Sequence, residues 1–170
     1  MAATFTLISS VTVGSGGAAN IEFTSIPATY TDLALHLSIR DNRATVVDTE
    51  AYIKFNNNTS NYSYRLAAGS GASVSSANGA TYPPLIATSA GATANTFASN
   101  FIYIPNYAGS NNKSLSIDVV SESNITSSVY MYLVAGLWSN SAAITSITFT
   151  PFTGNFVQYS TAYLYGISNA

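Results

Sequence analysis

Asp32-Leu-Ala-Leu-His-Leu-Ser-Ile-Arg40 alternates with a period of two. Leu33, Leu35, Leu37 and Ile39 fall on one side, and Asp32, Ala34, His36, Ser38 and Arg40 on the other. Side chains of an extended chain point to opposite faces in turn, so this stretch predicts a half-buried β-strand. The same alternation returns at residues 21–23, 51–55, 101–104, 115–119, 129–137, 144–149, 156–159 and 162–167. Thr, Val, Ile, Tyr and Phe dominate these runs, and such side chains suit a pleated surface. No helical period of 3.6 competes with it. Turn-forming clusters separate the runs: Gly14-Ser-Gly-Gly17, Asn56-Asn-Asn-Thr-Ser-Asn61, residues 106–112, residues 139–141 and Thr153-Gly-Asn155.

About eight short strands at this spacing predict one all-β domain over residues 1–170, an antiparallel β-sandwich of jelly-roll type. A closed barrel fits the same pattern, whereas the repeat of a β-propeller is missing. Residues 66–95 depart from the texture. They are rich in Ala, Gly, Ser and Thr around Tyr82-Pro83-Pro84-Leu85-Ile86. One expectation is a surface loop holding a single short strand or helical turn. The sharper one is an arm that orders against a neighbouring subunit, with Tyr82, Pro83, Pro84, Leu85 and Ile86 as the partner interface.

Composition narrows the function. Only 7% of the 170 residues are charged, against roughly 25% in an ordinary domain, while 47% are hydrophobic and 12% aromatic. Catalysis usually needs ionisable groups set close together, so a non-enzymatic structural or binding protein is expected, without a cofactor. The absence of cysteine removes disulfides and Cys-based zinc sites. A net charge of −2 and five scattered basic residues argue against nucleic acid. No apolar run approaches the ~20 residues of a membrane-spanning helix. The start lacks a secretory pattern, so the expectation is a cytoplasmic product.

His36 is the one histidine, and Asp32 lies four residues away on the same strand face, about 13 Å along an extended chain. No Gly-x-Ser-x-Gly elbow accompanies it, so a surface or structural histidine is expected. The acids are Glu22, Asp32, Asp41, Asp48, Glu50, Asp118 and Glu122. Asp48 and Glu50 form the one local pair that a glycosidase reading could use, and Asp41, Asp48 and Glu50 the one set for calcium. Charge compensation with Arg40 and Arg43 is the simpler use. Gly14-Ser-Gly-Gly17 lacks the lysine and following helix of a phosphate loop. Asn-x-Ser/Thr triplets at Asn57, Asn58, Asn61, Asn112 and Asn124 are read as compositional. Twelve tyrosines suit either glycan stacking or protein interfaces. Tyrosines gathered around one concave site would favour the glycan.

Several stretches in order complete the reading: Ile26-Pro27-Ala-Thr-Tyr30-Thr-Asp32-Leu33, Phe55-Asn56, Asn61-Tyr62-Ser63-Tyr64-Arg65, Ile104-Pro-Asn-Tyr107-Ala-Gly, and Thr161-Ala162-Tyr163-Leu164-Tyr165-Gly166-Ile167. Together they resemble small all-β virion structural proteins of tailed bacteriophages. The resemblance implies a virion component made in the host cytoplasm. Its expected role is that of a capsid decoration, or cement, protein: a homotrimer bound to the major capsid protein. The alternative it leaves is a tail- or fibre-associated module that binds a host-surface glycan.

Overall fold

The computed structural model describes residues 4–71, 73–124 and 130–168, and among them there is no helix. The chain forms β1 (Phe5–Thr12), β2 (Ile21–Phe23), β3 (Asp32–Ile39), β4 (Asp48–Phe55), β5 (Tyr62–Ser70), β6 (Ser73–Gly79), β7 (Pro84–Thr88), β8 (Ala98–Ile104), β9 (Lys113–Val120), β10 (Met131–Trp138), β11 (Ile147–Pro151) and β12 (Thr161–Ile167). They make two antiparallel sheets. The larger runs β1-β12-β3-β8-β9-β10-β5-β6 and the smaller β2-β11-β4-β7. The molecule is an all-β sandwich, as the alternation predicts.

β3 behaves as its pattern requires. Leu33, Leu35, Leu37 and Ile39 are buried in the core between the sheets, and His36 is exposed. From the smaller sheet, Ala51, Ile53 and Phe55 of β4 and Ile147 and Phe149 of β11 close onto them. Trp138 is fully buried beside Phe55 and Tyr62, with ring centroids 5.6 and 6.2 Å away.

The larger sheet is twice as wide as the smaller, so β9, β10, β5 and β6 extend beyond the frame formed by β1, β12, β3 and β8. This extension lies against β7. The Tyr82 ring meets Tyr62 at 5.0 Å, and the Thr88 hydroxyl lies 3.2 Å from that of Ser121, just after β9. A methyl group added at Gly136 of β10 would come within 2.8 Å of Pro83. All five residues of β7 are therefore buried, on both faces of the strand.

Residues 66–95 are accordingly not an arm, and they hold more than one short strand. Residues 66–79 lie in the β5–β6 hairpin at the edge of the larger sheet, apart from Ala72, which lies outside the described residues. Residues 84–88 are β7. Pro83, Pro84, Leu85 and Ile86 are buried in this chain's own interior, and Tyr82 is half-buried. The apolar surface of Pro83, Pro84, Leu85 and Ile86 is taken up within this chain, which leaves Tyr82 as the one of the five open to solvent.

Three further expectations shift. Residues 156–159 form no strand. Phe156 makes isolated bridges to Ala18 and Asp41 and plugs the core, while Tyr159 is exposed with a φ of 71°. The run at 144–149 becomes a strand only at Ile147, although Ile144 is buried. The run at 129–137 becomes Met131–Trp138, with Val129 outside the described residues, as is Thr126 of the Asn124 triplet.

The turn clusters act as expected. Asn56, Asn57 and Asn61 take positive φ, which asparagine tolerates better than most residues. Asn56 also clamps a distant loop. Its Oδ1 accepts the Thr145 and Ser146 amides at 2.8 and 3.1 Å, and its Nδ2 donates to the Ala143 carbonyl at 2.7 Å.

Candidate functional site

The two outer faces of the sandwich differ in chemistry. Laterally paired residues of an antiparallel sheet project to the same side. The registers thus define a row across the outer face of the larger sheet: Ser10, Tyr163, His36, Phe101, Asp118, Leu133, Ala67 and Ser76. A neighbouring row includes Leu7, Tyr165 and Tyr103, and another Val120, Met131 and Val74.

Much of this face is apolar and open. Phe5, Leu7, Val120, Met131, Leu133 and Val74 are each more than half exposed, Leu133 at 61%. A depression of about 450 Å³ lies among Val74, Val120, Met131 and Leu133. Asp32, Arg65 and Asp118 are the only charged residues of the eight strands on this side. Asp32 is engaged, accepting hydrogen bonds from the Tyr103 hydroxyl at 2.7 Å and the Asn106 amide at 2.8 Å. His36 packs against the Phe101 ring at 4.7 Å and the Tyr165 ring at 6.0 Å. The histidine and Asp32 thus serve separate neighbours.

The outer face of the smaller sheet is polar and aromatic. Asp48, Glu50, Tyr52 and Lys54 occupy alternate positions of β4. Thr150 and Thr148 of β11 stand beside Tyr52 and Lys54, and Glu22 of β2 beside Thr148. The Phe152 amide bonds to the Glu50 carbonyl at 2.9 Å, which extends the register by one more pair. Phe152, Tyr52 and Tyr82 form a ring row with centroids 6.4 and 6.0 Å apart. The Arg43 guanidinium lies over Phe152 at 5.6 Å, and the Lys54 ammonium over Tyr82 at 5.0 Å. The Tyr52 hydroxyl donates to Glu50 Oε2 at 2.8 Å.

The overhanging strands bring more tyrosines to this seam. Burial and the nearby Glu50 carboxylate push the Tyr132 phenol up to about 12, with Tyr130, Asp48 and Tyr64 adding to the effect. Tyr130 packs on Tyr132 at 5.7 Å and shares a pocket with Asp48, Val46 and Val47. Burial, then the Glu50 hydrogen bond, also raises the Tyr52 phenol.

Asp48 and Glu50 project to the same side, as the extended reading required, but each has its own partner. Asp48 Oδ1 accepts the Ser121 hydroxyl, and Glu50 accepts Tyr52. Both sit along one strand, and the Asp41 and Glu122 carboxylates lie close enough to Asp48 to raise its pKa beyond the effect of burial. Asp41 is fully buried and accepts the Arg43 amide at 2.9 Å. Among the described residues no group of three or more Asp, Glu or His side chains could hold a metal ion. Of the predicted interface, only Tyr82 reaches a surface site. Sequence reading missed Phe152, Arg43 and Lys54, although the alternation of residues 51–55 already put Lys54 and Tyr52 on one face.

The chain matches no protein-family model and no curated protein sequence.

Proposed function

We propose that this chain is a non-enzymatic virion structural protein of a tailed bacteriophage: a capsid decoration protein that bridges neighbouring capsomers, self-associates as a homotrimer and binds the major capsid protein. The observation that carries this reading is the open apolar face of the larger sheet. A cluster of Leu, Met and Val side chains on β9, β10 and β6, each more than half exposed and with few charges nearby, favours burial against a protein surface. Because most of these side chains are already nearly half covered, completing the burial of each contributes roughly 1 kcal/mol. Repetition of the contact over a symmetric shell multiplies its effect.

Strand order supports the same reading. Without the pairs β5–β6 and β9–β10, the frame is β1-β12-β3-β8 facing β2-β11-β4-β7. That order fits a jelly roll, an architecture that viral capsid and lectin domains share. Quantitative mass spectrometry of purified particles tests the proposal. Hundreds of copies per particle, with fragile heads and normal adsorption once the protein is removed, are the expected result. A few dozen copies with lost adsorption would favour a tail or fibre module, and absence from particles would overturn the virion reading.

A further inference from the structure

We propose that the outer face of the smaller sheet is a carbohydrate-binding site for neutral, hydroxyl-rich glycans. The inference rests on a different face from the decoration role and stands without it. It also gives the glycan-binding alternative a location.

A pyranose presents an apolar C–H face and a rim of hydroxyls. It is held best where an aromatic ring covers the face and fixed polar groups meet the rim. Phe152 is 58% exposed beside half-buried Tyr52, with Tyr82 next in the row. Glu50 is exposed next to Tyr52 and offers a carboxylate acceptor, which makes stronger hydrogen bonds than a neutral oxygen. Arg43 and Lys54 bring donors to the two ends of the row.

The placement of charge supports a ligand. Twelve side chains of 170 are charged, five basic and seven acidic. Glu50 and Lys54 from β4, Glu22 from β2 and Arg43 beside Phe152 gather at this face, whereas Asp48 is held by Ser121, just after β9 of the larger sheet. A chain so sparing of charge puts four of its twelve around this aromatic row, with Arg43 and Lys54 directly over Phe152 and Tyr82. Both signs are present, so the site suits hydroxyl groups that donate and accept and does not favour a polyanion.

The test uses the whole chain on an array of neutral hexose and N-acetylhexosamine oligosaccharides, with alginate oligosaccharides as the acidic comparison. Expected is binding to at least one neutral class, weakened about tenfold or more by Phe152→Ala and by Glu50→Gln. Both side chains are exposed, so these variants keep the fold, and unchanged thermal melting checks this. Binding to no neutral oligosaccharide, binding to alginate alone, or equal binding by the Phe152 and Glu50 variants would each overturn the proposal. Particle copy number is unaffected by any of these outcomes, so the two readings fail separately.

Discussion

The side chain of Asn100 pairs with both backbone groups of Ile86. Its Nδ2 donates to the Ile86 carbonyl at 2.9 Å, and its Oδ1 accepts the Ile86 amide at 3.1 Å. The carboxamide thereby imitates a neighbouring strand and fastens the edge of the smaller sheet to β8 of the larger one. Both residues are buried, so water does not replace either bond.

Asn100→Ala leaves one donor and one acceptor unsatisfied and should cost roughly 2–4 kcal/mol, read from urea denaturation. Asn100→Asp loses the donor and buries a charge, so it should be worse than Ala at pH 7. Lowering the pH should narrow that gap as the carboxyl protonates. Equal stability of wild type and Asn100→Ala would show that the pairing contributes nothing.

Arg40 ties down the loop after β7. Its guanidinium donates to the carbonyls of Thr93 at 3.0 Å, Thr96 at 2.9 Å and Ala92 at 3.3 Å. Replacement by alanine should destabilise by about 3 kcal/mol. It should also speed amide exchange selectively in residues 92–96. Lysine keeps the charge but loses the planar fork, so it should rescue only part of the effect.

Leu133 and Met131 lie near the middle of the open apolar face. The double variant Leu133→Lys, Met131→Lys should abolish self-association in sedimentation velocity. The stability of the isolated subunit should shift by no more than about 0.5 kcal/mol, because the sites are exposed. Undiminished association would place the contact elsewhere.

Burial raises the pKa of both Asp41 and Asp48 above the ordinary carboxylate value. The fold then binds more protons than the unfolded chain between that ordinary value, near 4, and the raised one. Stability from these groups is therefore greatest at the acid side of the window. It falls as pH rises through it and levels off above. A melting series across this range should show the decline, and Asp48→Asn should flatten part of it. At the alkaline end Tyr62, raised mainly by burial, and Tyr132 titrate near 12 in the fold. Stability should fall again as pH rises above about 10, where unfolded tyrosine ionises.

The parts of the fold that could be read in the sequence are those with one wet face and one dry face. β3 and β4 announce themselves because every second side chain enters the core. β7 does not, since it is covered on both sides and its apolar run has no period. β6 is hidden for the opposite reason. It is an edge strand exposed along nearly its whole length, built from Ser, Ala, Asn and Val without any alternation. Residues 156–159 mislead because Phe156 fills the core from a loop. Of the polar half of the small-sheet site, the Asp48 and Glu50 pair was legible, as was the alternation that puts Tyr52 and Lys54 on one face. Its aromatic half was not, because Phe152 and Tyr82 reach Tyr52 only through tertiary packing.

β12 occupies the place between β1 and β3, two strands laid down more than a hundred residues earlier in the chain. During synthesis those two strands wait with a gap between them. Neither can complete its ladder until residue 167 has left the ribosome. Closure of the larger sheet is thus governed by long-range pairing, which slows folding. Until then the chain exposes unpaired edges to its neighbours. High-level expression therefore favours low temperature and slow induction, conditions that give the last strand time to insert before two nascent sheets find each other.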